Sequence, residues 1–273
     1  MVQVIKADGS KEAFDEQKVV HSIQRAKIPA DLHPQVLAHV KNKLYEDIPT
    51  AEIYHHIIEF LGKAPNPYVH SRYSLKQALM ALGPSGYPFE DYVAEILKDH
   101  KFTVSVRQIL LGRCISHEID VIAEKDKWRV MVEVKFHNSP GVRSDVHVPL
   151  YTKARYEDLR DKHNLHEAWI VTNTKTTSDA IAYAHCIEMK VISWSYPEGE
   201  SLRDLIEKAH LYPITMMSTL SESSKITLLN NHIVLCKDIC KDHKKIDVLE
   251  ISAKEKEQIL AEIEYICMDK VPQ

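Results

Sequence analysis

The sequence lacks several features that identify common classes of protein. Only 7 of its 273 residues are glycine, and the glycine-rich nucleotide loops GxxxxGKS/T and GxGxxG are absent. No apolar run reaches the roughly 18 residues that cross a membrane, and the amino terminus has no signal-peptide core. We therefore expect a cytoplasmic protein that makes no contact with membranes.

An excess of basic residues is also missing, because the formal net charge is −4. A strongly basic chain would have indicated binding to nucleic acid directly. An acidic chain can still cluster its basic residues locally, so the net charge neither supports nor excludes such a partner. The hydrophobic content of 44% and the charged content of 27% are ordinary for a globular protein.

The five cysteines form no Cys-x-x-Cys pair, which is the spacing typical of a zinc or redox site. Cys236 and Cys240 are four residues apart, and on a helix this spacing more often reflects core packing than metal binding. We therefore expect free cysteines in a reducing compartment. The sixteen histidines are scattered without an HExxH motif and are interpreted as surface residues.

Changes in composition divide the chain into three segments and a linker. Residues 83–88 contain two glycines and two prolines, which is typical of an interdomain linker. The linker separates residues 1–82 from residues 89–210, and a helical tail follows over residues 211–273. The sequence predicts a multidomain α+β protein: a β-hairpin with a helical bundle, a central α/β mixed sheet with flanking helices, and a small C-terminal helical domain.

Residues 1–82 begin with a strand pair around the turn Asp8-Gly9-Ser10, and four helices are predicted after it. Asp15 is placed as a helix N-cap, and Thr50-Ala-Glu-Ile has the signature of a capped helix start. The predicted helices cover about residues 15–26 and 34–45, a third segment from residue 50, and residues 68–82.

The string VIKADGSKEAFDEQKVVHSIQRA resembles the opening of the ATP-cone domain, a regulatory nucleotide-binding module of ribonucleotide reductases and of a repressor of them. The resemblance covers about 82 residues and implies that ATP or dATP binds as an effector. Lys6 and Lys18 match phosphate-holding positions, while Ala7 and Tyr54 replace a basic residue and a histidine. The resemblance assigns nucleotide binding to Val4, Lys6, Glu12, Asp15, Lys18, Thr50 and Ile53.

The central segment contains Asp120 and, after twelve intervening residues, Glu133-Val134-Lys135, in two apolar runs joined by a charged turn. This pattern predicts a β-hairpin, in which Glu133 and Lys135 share a face and Asp120 can lie near Glu133. Two carboxylates and an ammonium in one place suit metal-assisted hydrolysis of a phosphodiester. Taken alone, Glu-x-Lys is more often a solvated charge pair.

The order of elements over residues 84–210 resembles the PD-(D/E)xK nuclease superfamily, in particular the Mrr-type restriction endonuclease domain. The predicted order is a helix, three strands, a helix, a strand, a helix and a strand, with a further helix at residues 202–209. The resemblance implies Mg²⁺ or Mn²⁺ as cofactor. Asp120, Glu133 and the carbonyl of Val134 would hold the metal, and the catalytic set is Glu90, Asp120, Glu133 and Lys135.

Some positions depart from that family pattern. Ile119 replaces the proline that names the motif, and no Gln-x-x-x-Tyr follows the polar loop over residues 137–144. Lys153, Arg155 and Tyr156 stand there instead, as phosphate contacts or as solvated surface residues. Alternation along the strand predicts that Glu118 shares the face of Asp120, as a fourth acid or a rim residue, with His117 and Ile119 opposite.

Residues 211–273 are predicted to form a small helical domain, in which Ser252-Ala-Lys-Glu has the pattern of a capping box. The helices around residues 230–232 resemble helix-hairpin-helix modules but lack the glycines whose amides bind DNA phosphates. A role in packing or dimerisation is at least as well supported as a role in DNA binding.

The leading hypothesis is a Mg²⁺-dependent DNA endonuclease regulated by ATP or a related nucleotide, with DNA and the effector as partners and a homo-oligomeric assembly. The alternative is a non-catalytic, ATP-sensing nucleic-acid-binding regulator on a nuclease scaffold, because one fold hosts many functions. A third hypothesis is an oligomer whose N-terminal domain drives assembly without chemistry.

Overall fold

The computed structural model of the chain describes residues 2–64, 66 and 68–267. Its strands are β1 Gln3–Ile5, β2 Lys11–Ala13, β3 Ile48–Pro49, β4 Thr103–Leu111, β5 Ser116–Lys125, β6 Trp128–Lys135, β7 Arg143–Ser144, β8 Glu167–Thr172, β9 Lys175–Thr176 and β10 Lys190–Ile192. Its helices are α1 Glu16–Arg25, α2 His33–Lys41, α3 Thr50–Leu61, α4 Val69–Tyr73, α5 Leu75–Met80, α6 Tyr87–Asp99, α7 His147–His163, α8 Ser178–Cys186, α9 Leu202–Ala209, α10 Glu222–Asn230, α11 Cys236–Lys241 and α12 Ala253–Cys267. Within the described ranges, none of the helices has the length and apolar character of a membrane span.

The N-terminal part is a three-stranded sheet covered by helices. Strand β1 lies in the centre, antiparallel to β2 and parallel to β3. The helices pack on the sheet through a core that includes Val4, Ile23, Val36 and Ile57. Asp15 caps α1, since its carboxylate accepts the N–H of Gln17 at 2.8 Å. The predicted hairpin and helical bundle are confirmed.

Two local predictions in this part are wrong. Thr50 is the first residue of α3 rather than its cap, because Pro49 occupies the cap position and no side chain there accepts a backbone N–H. The helix predicted over residues 68–82 is divided into α4 and α5 at Ser74. The hydroxyl of Ser74 donates to the carbonyl of Ser71 at 2.7 Å, a local bond that competes with helix continuation.

The central part is a five-stranded mixed sheet with the order β10-β8-β6-β5-β4. Strands β4, β5 and β6 form an antiparallel meander, and β8 and β10 add in parallel to β6. Helices α6 and α9 cover one face through residues such as Phe89 and Ile206, and α7 and α8 cover the other through Leu159 and Ala184. The predicted mixed sheet between helices is confirmed.

A two-stranded parallel ribbon of β7 and β9 lies beyond the end of the central sheet. Its strands are two residues long, and β7 falls in the stretch that the sequence predicted as a loop. Such short pairs have no apolar alternation, which is why the pattern did not reveal them. The ribbon faces the N-terminal part, where Arg143 and Asp8 form an ion pair at 2.5 Å.

The C-terminal helices share a core with the central sheet. Leu228, Ile239 and Ile263 pack in the same cluster as Phe89 of α6, and the buried hydroxyl of Tyr92 donates to the carbonyl of Leu211 at 2.5 Å. The predicted capping box at Ser252 and Glu255 is confirmed, with the backbone N–H of Glu255 at 3.3 Å from the serine hydroxyl and the N–H of Ser252 at 2.8 Å from the carboxylate. The predicted small helical domain is confirmed.

The expectation of free cysteines is wrong for one pair. Cys240 and Cys267 are joined in a disulfide, because packing of α11 against α12 brings their Cα atoms to 6.7 Å. Cys236 is a free, buried thiol in the core, and Cys114 and Cys186 are free and exposed. Residues 27 apart cannot be paired from sequence spacing alone.

Candidate active site

The strand register places Asp120 beside Glu133. Strands β5 and β6 pair with Val121 opposite Val132, so the next step along the hairpin sets the two acids next to each other. The backbone N–H of Val134 donates to Oδ2 of Asp120 at 2.7 Å and fixes that carboxylate against β6. The sequence therefore located both acids, and pairing of the strands brings them together.

The environment of Asp120 disfavours its charge. Burial raises the pKa of its carboxyl group to about 7, and repulsion from the Glu133 carboxylate adds to the increase. The N–H of Val134 and the charge of Arg155 oppose that increase. A carboxyl group with such a raised pKa, next to a second acid, is typical of a functional site.

Glu133 is only 8% exposed and is held by two side chains of α7. The hydroxyl of Tyr151 donates to one carboxylate oxygen at 2.8 Å, and the guanidinium of Arg155 contacts the other at 2.6 Å. Arg155 was named from the sequence, whereas Tyr151 was not. Their i, i+4 spacing puts both on one helix face, and this Tyr-x-x-x-Arg pattern was the signal available.

Lys135 is the last residue of β6 and lies on the same face as Glu133, two residues away. In the part of the chain that the structure describes, its ammonium has no ion-pair partner. Burial lowers the pKa of the His137 imidazole, and the positive charge of Lys135 lowers it further. The lysine charge therefore acts on groups at this end of the sheet. An ammonium on the same strand face as Glu133 that forms no ion pair among the described residues is available for an anionic ligand.

Glu90 lies on α6 and is engaged by a strand residue. The guanidinium of Arg107 contacts Glu90 at 3.1 Å and Asp91 at 2.7 Å. Burial raises the pKa of the Glu90 carboxyl group, while the bond from Arg107 lowers it. The charge of Glu90 in turn contributes to the raised pKa of Asp120, so the two acids are close enough to interact electrostatically.

Strict alternation along β5 breaks at Asp120. Ile119 packs with Ile122 and Met131, although alternation predicts that it shares the face of Val121. His117 also faces α7, where its ring contacts Asp158 at 2.9 Å, so His117 and Ile119 share a face as predicted. Arg107 of β4 lies opposite Asp120, between the paired positions Val106–Val121 and Gln108–Ile119, and it has a left-handed backbone with φ 51°.

The remaining polar residues named from the sequence have separate places. Glu118 is exposed at the rim, and its main-chain carbonyl accepts from the guanidinium of Arg155. Lys153 pairs with Glu157 at 3.3 Å on the outside of α7. The hydroxyl of Tyr156 donates to the carbonyl of His166 at 2.9 Å. Of the three residues on α7, Arg155 alone contacts a candidate catalytic acid.

The donor set suits a hard divalent cation with few protein ligands. Within residues 2–64, 66 and 68–267, no three acidic, histidine or cysteine side chains converge as a ready metal cage. Magnesium, however, usually keeps several waters and takes only one or two carboxylates from the protein. A cation between Asp120 and Glu133 would relieve the repulsion that raises the pKa of Asp120. The residues present therefore fit Mg²⁺ or Mn²⁺.

A second candidate site is a groove of about 160 Å³ in the N-terminal part. Six of the seven residues assigned to nucleotide binding line it, namely Val4, Glu12, Asp15, Lys18, Thr50 and Ile53. The seventh, Lys6, contacts Glu12 at 2.6 Å, and Lys18 contacts the same carboxylate at 2.8 Å. These two lysines hold the pKa of the Glu12 carboxyl group below its usual value.

An aromatic wall completes this groove. Tyr54 and Tyr73 both line it and stack with ring centroids 5.3 Å apart and planes 16° from parallel. Aromatic faces of this kind accept a flat ring such as a nucleobase by stacking. Tyr54, the position at which the sequence departs from the family pattern, therefore supplies an apolar face rather than an imidazole.

Replacing Asp120 with asparagine should stabilise the metal-free protein at alkaline pH. Below pH 4 this carboxyl group is protonated in both the folded and the unfolded protein. As pH rises towards 7, the unfolded chain releases the proton while the folded protein, in which the pKa is raised, keeps it, so the native protein loses stability. Asparagine keeps an acceptor for Val134 but carries no charge. We expect a gain of about 2 kcal/mol at pH 8 and almost none at pH 4, measured by urea unfolding in EDTA. Asp161→Asn on the exposed end of α7 is the control, and an equal gain at both pH values would contradict the assignment.

Comparisons with known proteins match three regions of the chain. The ATP cone domain matches residues 2–79, the restriction endonuclease domain matches residues 83–202, and the AF1548-like, C-terminal domain matches residues 212–267. An uncharacterized protein of Archaeoglobus fulgidus is 37% identical over 171 residues, which are 62% of this chain and 97% of that protein.

Two solved structures are similar to the chain. The crystal structure of AF1548, a protein of unknown function, is 37% identical with a TM-score of 0.58, covering 66% of this chain and 97% of that one. A repair endonuclease from Pyrococcus abyssi is 16% identical with a TM-score of 0.33, covering 40% of this chain and 46% of that one, and supports no further conclusion. The chain therefore belongs to the AF1548-like family, and it joins an ATP cone domain to a restriction endonuclease domain and an AF1548-like C-terminal domain.

Proposed function

We propose that the protein is a DNA endonuclease that depends on Mg²⁺ or Mn²⁺ and responds to ATP or dATP bound at its N-terminal domain. The observation that carries the proposal is the placement of Asp120, Glu133 and Lys135 on neighbouring strands of a restriction endonuclease domain. The raised pKa of Asp120 and the unpaired ammonium of Lys135 support it.

Each residue of the site has a distinct part in this proposal. Asp120 and Glu133 hold the cation, with the Val134 carbonyl as a further oxygen ligand. When bound, a divalent cation supplies Lewis-acid polarisation and neutralises charge at the scissile phosphate. Lys135 orients the attacking water and stabilises the negative charge that develops on the phosphate oxygens. Glu90 acts indirectly, through its electrostatic effect on Asp120.

Arg155 gives the site two states. In this structure its guanidinium neutralises Glu133 and contacts the main chain of Glu118. A cation at Glu133 would free that guanidinium, which lies on the same side as Lys135 and is suited to bind a phosphate. Arg155 then holds the carboxylate pair together when metal is absent and contacts DNA when metal is present.

The groove in the ATP cone domain supports a nucleotide effector. Lys6 and Lys18 would exchange their ion pairs with Glu12 for nucleotide phosphates, and Tyr54 would stack on the base. The groove volume of about 160 Å³ is small for a whole nucleotide, so part of the ligand must extend beyond it.

A cleavage assay tests the proposed activity. Purified protein is incubated with linear, supercoiled and branched DNA, with Mg²⁺ or Mn²⁺ and with or without ATP. We expect metal-dependent nicking or cutting of at least one substrate, with a rate that changes when ATP is added. Glu133→Gln, which retains the size of the side chain but removes one metal ligand, should be inactive. Absence of cleavage by the native protein with every substrate and both metals would contradict the proposal.

The second candidate is a non-catalytic, ATP-sensing regulator that binds nucleic acid. It is favoured by the contacts of Tyr151 and Arg155 with Glu133, which give both oxygens of that carboxylate a partner. Titration with Mn²⁺ separates the two functions, because a cleaving enzyme must bind the cation and lose that binding in Asp120→Asn. A protein that binds DNA but takes up no Mn²⁺ would be the regulator.

A further inference from the structure

A second cavity lies where the ATP cone domain meets the restriction endonuclease domain, and it is separate from both sites above. Its volume is about 160 Å³, which is several times the roughly 30 Å³ occupied by a water molecule. Four cationic side chains and one carboxylate are among its lining residues: Lys6, Lys76, Arg143, Lys175 and Asp8. The carboxylate is already paired, since Asp8 contacts Arg143 at 2.5 Å.

The fold forces like charges together in this cavity. Arg143 and Lys175 are directly opposite each other in the two-residue ribbon of β7 and β9. Like charges at opposite positions of a strand pair are destabilising unless something between them compensates. A two-residue ribbon has little else to stabilise it, so the pairing of these cations requires an explanation.

Lys76 adds a third positive charge from α5. Its side chain is mostly buried, and burial together with the nearby charge of Lys175 lowers the pKa of its ammonium group. In the described part of the chain it has no carboxylate partner, and its ammonium lies 5.9 Å from the centre of the Trp194 ring. Burying a lysine beside another cation costs free energy, which a bound anion would recover.

The cavity connects the two domains. The main chain approaches closely there, because a Cβ on Gly141 would lie 2.5 Å from the carbonyl oxygen of Ala7. Lys6 lines this cavity and also contacts Glu12 in the nucleotide groove. Thr172 of β8 pairs with Lys135 of β6, and Lys175 comes three residues after Thr172. The cavity therefore lies between the nucleotide groove and the end of the sheet that carries the candidate catalytic lysine.

We propose that this cavity is an anion site in which Lys76, Arg143 and Lys175 bind a phosphate group at the interface of the two domains. Phosphate oxygens accept the charge-assisted hydrogen bonds that a guanidinium and two ammonium groups offer, and the ligand brings the missing negative charge. The phosphate comes either from a nucleotide, whose chain of phosphates would extend past Lys6, or from the backbone of DNA. The site rests on the geometry of the cavity and not on cleavage, while these two sources follow from the proposed function.

Binding measurements on the full chain in EDTA test the site and distinguish its sources. Lys175→Ala removes an exposed cation, and Lys76→Met keeps the apolar stem that packs near Trp194. Affinity for ATP is measured by calorimetry, and affinity for a 20-base-pair duplex by fluorescence anisotropy. We expect both variants to lose about tenfold in affinity for at least one of the probes. Lys254→Ala on α12 removes a lysine outside the cavity and should change neither.

The pattern of loss identifies the ligand. If ATP binding alone is weakened, the site holds nucleotide phosphates, and Lys18→Ala, which alters only the groove, should also weaken ATP. If DNA binding alone is weakened, the site holds a backbone phosphate. The proposal is overturned if both variants, folded by thermal unfolding, bind ATP and DNA within twofold of the native protein. Because no cleavage is measured, this result stays separate from the presence or absence of nuclease activity.

Discussion

Replacing Lys135 with alanine is expected to lower the rate of DNA cleavage by about 1,000-fold, which is the largest effect on activity that we predict for a single residue. The ammonium shares a face of β6 with Glu133 and has no ion-pair partner in the described chain. Its charge is thus available to a scissile phosphate, where it stabilises the transition state more than the bound substrate. The loss corresponds to about 4 kcal/mol of activation free energy.

Two further measurements show whether this loss is chemical. Mn²⁺ affinity should be unchanged in Lys135→Ala, because the carboxylates of Asp120 and Glu133 are intact. Thermal stability should also be retained, because no ion pair of the native protein is broken. Lys153→Ala is the matched control, since among the described residues that lysine of α7 pairs with Glu157 and lies over the ring of Tyr156, away from both candidate acids. Cleavage by Lys135→Ala within tenfold of the native rate would remove Lys135 from the catalytic set.

Much of the architecture could be predicted from local patterns. The hairpin of β5 and β6 follows from two apolar runs around a charged turn, and Asp126 and Lys127 at its tip have positive φ angles of 50° and 69°. The hairpin register, once formed, sets Asp120 beside Glu133. Helix α1 is likewise fixed by its cap at Asp15. These features depend on residues that are close in sequence, and hydrophobic periodicity and capping patterns predict such local structure directly.

The rest of the active site depends on contacts that no local pattern encodes. Tyr151 reaches Glu133 because α7 packs across the sheet at one particular rotation, and the sequence shows only that Tyr151 and Arg155 share a helix face. The alternation of β5 breaks between Ile119 and Val121, opposite the left-handed residue Arg107 on a different strand. Tertiary packing decides both, so alternation along a single strand could not predict them.

The interface between the domains could be predicted least of all. The ion pair of Asp8 and Arg143 joins residues that are 135 positions apart in the sequence. The strands of the ribbon that carries Arg143 are too short to show the alternation of apolar and polar residues that identifies a strand. The family resemblance gave Lys6 a role in nucleotide binding and named no residue as a contact between the two domains. A resemblance to single domains carries no information about how two of them are joined.

The largest effect on stability is expected from Glu262, which the sequence did not single out. It lies on α12, is fully buried at 0% exposure, and accepts five hydrogen bonds from neutral donors. The donors are the hydroxyl of Ser71 (2.5 Å), the N–H and hydroxyl of Ser218 (both 2.9 Å), and the N–H (2.8 Å) and hydroxyl (2.6 Å) of Thr219. Bonds to a buried charge are the strongest in a protein, and leaving their donors unpaired is costly.

Glu262→Gln should lower the free energy of unfolding by about 3 kcal/mol, although the side chain keeps its size. Each carboxylate oxygen accepts a fixed backbone N–H, from Ser218 on one side and from Thr219 on the other. Either orientation of the glutamine amide therefore points its NH₂ group at one of these donors. Urea unfolding at pH 7 measures the change, and Glu264→Gln, an exposed position on the same helix, should stay within about 0.5 kcal/mol of the native protein.

A double-mutant cycle with Ser71→Ala shows whether Glu262 also joins the ATP cone domain to the C-terminal helices. Ser71 lies on α4, and the other four donors lie between the central sheet and α10, so one carboxylate connects segments about 190 residues apart. If the connection is real, the two substitutions should be non-additive by at least 1 kcal/mol, because the Ser71 hydroxyl loses its charged acceptor once Glu262 is replaced. Additive effects would limit Glu262 to stabilising the C-terminal helices, and the ATP cone domain would then be held against α12 by other contacts, such as the bond from the Arg72 guanidinium to the Tyr265 carbonyl at 3.0 Å.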